Sequence, residues 1–276
     1  MDTTFTFTLL GTGSSGGVPR VGNQWGNCDP DNPLNRRRRC ALLIEREDSQ
    51  QHKTTVLVDT GADLREQLLA ANVKHLDGVL ITHSHADHVF GMDDLRQLAI
   101  SMKSPIPVYM DEATESIVLR SFNYVFHQAE NSSYPAFCSK HSIEHHQTIK
   151  IPGAGGEVKA VPLLVEHGDI HALGFRFGSL AYLPDIKRMS DERSLAALTG
   201  VSTLIIDALR HSAHPSHMNL EESLRFIDQI KPERAVLTNM HTDLDYQTLK
   251  VALPAGIVPG YDGMVLTAQA ELLPGK

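Results

Sequence analysis

Residues 83–88 place four side chains that can bind a metal ion within six positions. His83 and His85 are two residues apart, so in an extended segment their imidazoles point to the same side. Asp87 and His88 are adjacent, and in a tight turn they diverge from that pair. Two imidazoles beside a mixed carboxylate and imidazole set suit two neighbouring divalent ions better than one. The spacing therefore predicts a metal centre.

The elements around this cluster can hold it in place. The apolar run 79–81 predicts a short buried strand, and the apolar spacing over 91–103 predicts a helix. The cluster is therefore expected on a strand-to-helix loop at one edge of a sheet, where rigid elements aim side chains at one point. The alternative is a surface loop that is rich in histidine by chance. The strand and helix on either side favour the metal centre.

The segment 82–88 resembles the signature of the metallo-β-lactamase superfamily of binuclear metallohydrolases. Further similarities at 10–13, 211–217 and 237–245 are closest to the phosphodiesterase branch that includes the phosphoribosyl 1,2-cyclic phosphate phosphodiesterase. The resemblance implies an α/β (α+β) fold, a four-layer αββα sandwich of two mixed sheets with metals at one rim. Residues 1–276 are expected to form a single domain of this type.

The resemblance also implies a ligand set. By resemblance, the first ion takes His83, His85 and His167, the second takes Asp87, His88 and His241, and Asp185 bridges both ions. His167 and Asp185 each follow a predicted strand, as the family pattern requires. Many relatives carry the last histidine at position 239, where this chain has Asn239. His241 is assigned because it lies two residues further along an extended segment, and so on the same side.

Other side chains are expected to support this centre or to contact the substrate. By resemblance, Asp59 lies behind the metal histidines and orients their N–H groups. His217 matches the non-ligand histidine of phosphodiesterase members, so His217 and Asp185 are the catalytic candidates. His214 is a weaker candidate for substrate contact.

Arginines in the first long loop are candidates for binding phosphate. Residues 36–39 are all arginine, and Arg20 precedes them in the same loop. One interpretation is a solvated loop. The other is that one or two of these arginines, with Arg20, clamp a phosphate, because a guanidinium group pairs with two phosphate oxygens. Arg20 and Arg36 are the substrate-binding candidates from this group.

Two motifs in the same loop are interpreted as accidental. Gly11, Gly13 and Gly16 spell the dinucleotide-binding pattern GxGxxG, and Gly13, Ser15 and Gly17 spell the nucleophile pattern GxSxG. Both motifs require a helix to begin at once. Residues 18–23 show no helical periodicity and contain a proline and a glycine. A turn that brings backbone amides near the site is the preferred interpretation.

Composition limits the class of protein. The 276 residues carry 25 Lys plus Arg and 33 Asp plus Glu, and this net charge of −8 argues against a broad nucleic-acid surface. The three cysteines form no CxxC pair, as expected in a reducing compartment. No signal peptide or membrane-length apolar run is found, so we expect a cytoplasmic protein without membrane contact. The polar segment 123–148 is interpreted as a peripheral excursion or a lid over the site.

With the resemblance, these residues predict a binuclear metal-dependent phosphodiesterase acting on a small nucleotide or sugar-phosphate diester, cyclic or linear. Two divalent ions, Zn²⁺ or Mn²⁺, would convert a bridging water to hydroxide, and His217 would protonate the leaving oxygen. The alternatives are a lactone or thioester hydrolase, a tRNA 3′-processing nuclease and a nucleotide-binding metal protein without catalysis. We expect a small phosphodiester or nucleotide as the partner, no stable nucleic-acid partner, and either a monomer or a homodimer.

Overall fold

The computed structural model describes residues 4–269. One seven-stranded sheet contains β1 (Thr4–Gly11), β2 (Ala41–Glu47), β3 (Lys53–Val58), β4 (Gly78–Leu80), β5 (Ile106–Met110), β6 (Cys138–Ser142) and β14 (Met264–Gln269). The other seven-stranded sheet contains β7 (Ile149–Ile151), β8 (Val158–His167), β9 (Ile170–Phe177), β10 (Leu180–Leu183), β11 (Thr203–Asp207), β12 (Arg234–Thr238) and β13 (Ile257–Pro259). The helices are α1 (Leu64–Ala70), α2 (Ala86–Val89), α3 (Leu95–Met102), α4 (Glu112–Phe126), α5 (Glu192–Ala196), α6 (Leu220–Ile230) and α7 (Tyr246–Ala252). Short 3₁₀ turns lie at Pro33–Asn35 and Met92–Asp94.

Both sheets are mixed. The first has the order β14-β1-β2-β3-β4-β5-β6, with antiparallel pairs as far as β3 and parallel pairs beyond it. The second has the order β13-β12-β11-β10-β9-β8-β7, with parallel pairs as far as β10 and antiparallel pairs beyond it. Neighbouring parallel strands end at the same edge of a sheet, so residues that follow them lie close together.

The two sheets pack face to face around one apolar core. In β1, Phe5, Phe7 and Leu9 are buried while the threonines between them are half-buried, as the two-residue period of a strand dictates. Phe7 reaches Phe177 of the opposite sheet, with ring centroids 5.9 Å apart. Burying each large apolar side chain stabilises the fold by about 1.5–3 kcal/mol before entropy is counted.

Helices cover the outer face of each sheet. Leu57 of β3 packs with Leu64 of α1 in one outer cluster, whereas its neighbours Val56 and Val58 face the core between the sheets. On the other side, Ile206 of β11 belongs to a cluster with helix α6. Strands covered on both faces are apolar without interruption, which explains the short apolar runs of the sequence. The predicted αββα sandwich of two mixed sheets is confirmed.

The segment 123–148 is not a separate excursion. Its first part completes α4, and its middle part forms β6, which pairs in parallel with β5 at the edge of the first sheet. Val125 and Phe126 are buried in α4, and Phe137 and Cys138 are buried at the start of β6. A few apolar residues therefore anchor a mostly polar stretch, and a lid formed by the remaining residues of 123–148 stays a prediction.

One helix start was well specified by the sequence. Asn219 caps α6, and Glu222 returns a hydrogen bond to the Asn219 backbone, which forms a capping box. Among residues 4–269, no helix combines the length and apolar character needed to cross a bilayer.

Candidate metal centre

The candidate site lies where strands of both sheets end. The contributing positions are Asp59 after β3, the loop 82–88 after β4, His167 at the end of β8, Asp185 after β10, Asp207 at the end of β11 and Asn239 after β12. The parallel strands β3 and β4 deliver their ends side by side, as do β10, β11 and β12. Facing sheets then bring the two sets together at one rim.

Three of the histidines are oriented through their Nδ1 atoms. His83 Nδ1 lies 3.0 Å from Thr82 Oγ1, His88 Nδ1 lies 2.7 Å from Asp59 Oδ2, and His167 Nδ1 lies 2.8 Å from Ser216 O. Gly168 supports the last contact: it has φ +63°, and a Cβ there would lie 2.8 Å from Ser216 Cβ. Because each Nδ1 contacts a protein oxygen, Nε2 is left as the free ring nitrogen. Proteins commonly orient a metal-binding histidine in this way.

The free nitrogens converge with one carboxylate. Three sets of possible ligand atoms form, each within 4.8 Å: His83, His85 and His167; His83, His88 and Asp185; and His167, Asp185 and His217. His83 Nε2 lies 2.9 Å from His85 Nδ1, and His167 Nε2 lies 3.3 Å from the same atom. Asp185 belongs to two sets, as a carboxylate between two ions would.

The donor set fits a divalent cation. Asp185 is 3% exposed, and its Oδ2 atom accepts no hydrogen bond although His88 Nε2 lies 3.0 Å away. A buried carboxylate oxygen without a hydrogen bond is costly unless a cation satisfies it. Imidazole nitrogens with carboxylate oxygens are ligands that Zn²⁺ and Mn²⁺ both accept. The residues therefore fit the metal that the motif implies.

The local electrostatics divide the histidines into two kinds. Burial lowers the pKa of His83 well below its ordinary value and also lowers the pKa of His167, so both favour the neutral form that binds metal. Burial also acts to lower the pKa of His88, but the carboxylates of Asp185, Asp59 and Asp87 outweigh it and raise that pKa well above its ordinary value. His88 thus lies in the most negative part of the centre, where a cation is favoured.

Asp87 lies beside the cluster without belonging to the three sets. Its Oδ2 atom is 3.4 Å from His88 Nε2. Burial acts to raise the pKa of Asp87, but His88 lowers it below its ordinary value, so the group is a carboxylate. The structure therefore brings Asp87 to the rim next to His88.

His241 lies in the loop after β12, outside the three ligand sets. In the part of the chain that the structure describes, none of the three sets includes it, and its Nδ1 atom lies 3.1 Å from Asp243 Oδ1. Its assignment relied on an extended segment after Thr238. Asn239 instead has φ +58°, which breaks the two-residue alternation, so positions 239 and 241 do not share a side. The extended segment on which the assignment relied is therefore not observed, and His241 as a ligand of the second ion stays a prediction.

Two residues that sequence reasoning missed hold His217. The fully buried Asp207 places Oδ2 2.7 Å from His217 Nδ1, and Asn239 Nδ2 lies 3.1 Å from that nitrogen and 3.1 Å from Asp185 Oδ1. Burial acts to lower the pKa of His217, but Asp207 and Asp185 raise it to about 9. Asp207 is the last residue of the buried strand β11, and Asp59 and Asp185 lie just after the strands β3 and β10. This shared position at a strand end is the sequence signal that could have identified Asp207.

The substrate-contact candidates lie in two places. The ring of His214 is 5.1 Å from the ring of His217, and Ser216 N donates to His214 Nδ1 at 3.3 Å. Arg20 and Arg36 line a separate pocket of about 340 Å³ formed by residues 16–23, 36–39 and Asp63. The structure thus places His214 beside the candidate acid and the two arginines together in one pocket.

Comparison with known proteins identifies the family. The model of the beta-lactamase superfamily domain matches residues 54–240. A crystal structure described as a new diphosphatase from the PhnP family is 34% identical and has a TM-score of 0.85, and the match covers 99% of this chain and all of that one (100%). Zn²⁺-bound PqqB from Methylobacterium extorquens is 18% identical, with a TM-score of 0.72 over 95% of this chain and 99% of that one, and shares the fold.

A curated relative is longer than this chain. The octanoyltransferase of Porphyromonas gingivalis (strain ATCC BAA-308 / W83) is 33% identical over 259 residues, which are 93% of this chain and 50% of that protein. The chain therefore spans about half the length of this relative. The matched family model, the structural match over nearly the whole chain and the clustered histidines lead to one assignment. The chain belongs to the metallo-β-lactamase superfamily and, within it, to the PhnP-like branch.

Proposed function

We propose that this chain hydrolyses a P–O bond in a small phosphodiester or diphosphate, with two divalent ions held by the centre. His83, His85 and His167 would hold one ion, and His88 with Asp87 the other, with Asp185 between them. Bound divalent ions would act as Lewis acids toward a phosphoryl oxygen and activate water. The similarity to a protein described as a diphosphatase supports phosphorus as the centre attacked.

One observation carries this proposal: a buried carboxylate holds His217 at the rim of the centre. His217 Nδ1 donates to Asp207 Oδ2, so Nε2 is the nitrogen that can give a proton to a ligand. In the reaction, a water oxygen forms the new bond to phosphorus, and the bond to the leaving oxygen breaks. His217 donates its proton to that leaving oxygen, and Asp207 positions the ring.

The test compares leaving groups. An alkoxide leaving group needs a proton as it departs, whereas p-nitrophenolate does not. We expect His217→Ala to lower kcat for an alkyl phosphodiester by about 10²–10⁴-fold and to affect the p-nitrophenyl ester far less. His127→Ala is the matched control, because His127 is exposed after α4 and has no place in the site. Equal losses on both substrates would show that His217 does not act as the acid.

The same preparation tests the rival activities. An octanoyl thioester is the ester substrate to include, because the P. gingivalis relative is named an octanoyltransferase. A lactone, a tRNA precursor and a nucleotide binding assay complete the comparison. Thioester or lactone turnover without phosphodiester or diphosphate turnover would overturn the proposal, as would tRNA cleavage alone or nucleotide binding without hydrolysis.

A further inference from the structure

An exposed phenylalanine lies next to the metal-binding loop. Phe90 caps the C-terminus of helix α2, the helix that carries Asp87 and His88, and its backbone N donates to Ala86 O at 3.0 Å. Phe90 is 60% exposed to solvent. A single exposed apolar residue is common on protein surfaces and needs no function by itself. What distinguishes Phe90 is its position relative to the residues of the centre.

The geometry of α2 directs Phe90 toward the rim of the centre. Phe90 has helical φ −73° and ψ −10°. Residues three and four positions apart on a helix are neighbours, with Cβ atoms about 5–6 Å apart, and aromatic side chains lean toward the helix N-terminus over the preceding turn. For Phe90 these neighbours are Asp87 and Ala86. Ala86 is exposed and adds only a methyl group to this face, so the ring is directed toward Asp87 with space beside it.

Backbone hydrogen bonds fix this short helix against the loop behind the centre. Thr60 N donates to His88 O at 2.7 Å, and Gly91 N donates to Thr60 O at 2.7 Å. Thr60 directly follows Asp59, the residue whose carboxylate contacts His88. The segment on both sides of Phe90 is therefore bonded to the same loop that orients the histidines, and this holds Phe90 at a fixed position beside the centre.

A second aromatic ring supports Phe90 and leaves part of its surface open. The ring centroids of Phe90 and Phe122 are 5.9 Å apart at an interplanar angle of 69°, which is an edge-to-face contact. Phe122 is half-buried at the kink of α4. Phe90 stays mostly exposed despite this contact. A ring that a neighbour already holds in place can stack on a flat ligand group with little further loss of side-chain freedom.

We propose that Phe90 stacks on a nucleobase of the substrate. The substrate class then narrows from any small phosphodiester or diphosphate to one that carries a nucleoside. One sugar ring separates the phosphorus of a nucleotide from its base, which suits an aromatic contact about one helical turn, ~5.4 Å, beyond Asp87. Every base has a π-face, so Phe90 would select for a base without choosing among the bases. This inference rests on the proposed function, because it assumes that the phosphorus lies at the metal centre.

The test measures binding, so it does not depend on turnover. Adenosine 5′-monophosphate and ribose 5-phosphate carry the same phosphate monoester, but only the first has a base. With the metal-loaded protein, calorimetry should give a Kd for adenosine 5′-monophosphate at least about tenfold lower than that for ribose 5-phosphate. Phe90→Ala and Phe90→Leu should bring this Kd ratio toward one, because neither side chain has a π-face, whereas Phe90→Tyr should preserve it. Leu69→Ala is the matched control, since Leu69 is also 60% exposed but lies in the last turn of α1.

The outcomes separate this inference from the proposed function. Equal Kd values for the two ligands in the unaltered protein, or a Kd ratio that survives in Phe90→Ala or Phe90→Leu, would overturn the base contact and leave hydrolysis at the centre intact. A ratio that is lost in Leu69→Ala as well would also overturn it, because the effect would then not be specific to Phe90. A protein that hydrolyses no phosphodiester or diphosphate, yet prefers adenosine 5′-monophosphate through Phe90, would keep the base contact and lose the proposed function.

Discussion

Asp59 shows how one buried residue prepares the centre. It is fully buried, its Oδ2 atom lies 2.7 Å from His88 Nδ1, and Thr82 N donates to its Oδ1 atom at 2.8 Å. Burial raises the pKa of Asp59, although His88 and Thr82 oppose this. The carboxylate thus holds one imidazole and the start of the metal-binding loop together.

Replacing Asp59 should weaken metal binding without removing a ligand. Asp59→Asn keeps the shape but loses the charge that orients His88, and we expect the Kd of one bound ion to rise about 10–100-fold. Competition with a chelating dye measures this value. Asp228→Asn, on the exposed face of α6, is the control. An unchanged Kd in Asp59→Asn would remove Asp59 from the account of the centre.

Arg37 is a residue-scale determinant of stability. Its buried guanidinium group donates to Leu244 O at 2.8 Å and to Asn35 Oδ1 at 3.4 Å. A lysine cannot reproduce this planar fork. We therefore expect Arg37→Lys to lower the free energy of unfolding by about 2–3 kcal/mol, as measured by urea denaturation. The adjacent exposed Arg36→Lys should change it by less than about 0.5 kcal/mol, and similar losses in both variants would contradict this role.

Sequence reasoning was effective where residue type, order and strand ends agreed. His83, His85, His167 and Asp185 were assigned by the family resemblance on those grounds, and the structure brings them together. The backbone conformation of Asn239 could not be predicted from the sequence, because its positive φ depends on the fold around it. The pairing of the arginines was also hidden, since Asp262 is 224 residues from Arg38 along the chain.

At the scale of elements, Asp245 connects helix α7 by hydrogen bonds to the loop that contains Asn35. Its Oδ1 atom accepts from Thr248 N at 2.8 Å and so caps the helix, while Asn35 Nδ2 donates to its Oδ2 atom at 2.7 Å. Burial acts to raise the pKa of Asp245, but these donors lower it to about 2. The helix cap and the loop contact therefore depend on one ionised carboxylate.

This cap predicts a pH-dependent contribution to stability. Because the folded pKa lies below the unfolded value of about 4, the contribution is present above pH ~4 and is lost as pH falls toward 2. We expect Asp245→Ala to lower the free energy of unfolding near neutral pH by about 1 kcal/mol, since partial exposure screens the charge. Urea denaturation should show this gap narrowing below pH ~4. Asp169→Ala, in an exposed turn, should show no gap, and a gap that widens in acid would contradict the assignment.

Helices and strands could not be predicted from the sequence where their burial depends on contacts with residues far away in the chain. Helix α4 reaches Phe126, across a kink at Phe122 with φ −125°, and so extends into the segment that was interpreted as an excursion or a lid. The polar strand β6 has one apolar anchor, Cys138, so its pattern alone does not indicate a strand. Its pairing with β5 supplies the missing hydrogen bonds, and only the folded sheet reveals that partner. By contrast, the capping box of α6 depends on residues three positions apart, so its signature is local in the sequence.

At the scale of the whole molecule, the face-to-face sheets create the centre. Residues from β3 to β12 meet at one rim, although Asp59 and Asn239 are far apart in the sequence. Four carboxylates lie at or near this rim, at Asp59, Asp87, Asp185 and Asp207. Cations that bind these groups in the folded state but not in the unfolded chain would stabilise the fold as well as serve the chemistry.

Removing the metal should therefore destabilise the whole chain. If free metal is present at about 100 times Kd, binding to the folded state adds about 2.7 kcal/mol to the free energy of unfolding. We expect dialysis against a chelator to lower Tm and abolish hydrolysis, with both restored by Zn²⁺ or Mn²⁺. Calorimetry of the chelated and reloaded protein measures the shift. Identical Tm values in the two states would contradict a built metal centre.

The most direct measurement is the metal content of the purified protein. Elemental analysis of the unaltered chain should find about two divalent ions per molecule. Asp185→Ala should lose at least one of them while remaining folded by circular dichroism, because Asp185 belongs to two of the three ligand sets. The exposed-site control His127→Ala should retain both. Metal below one ion per chain in the unaltered protein, or full occupancy in Asp185→Ala, would contradict the convergence of these side chains on a pair of cations.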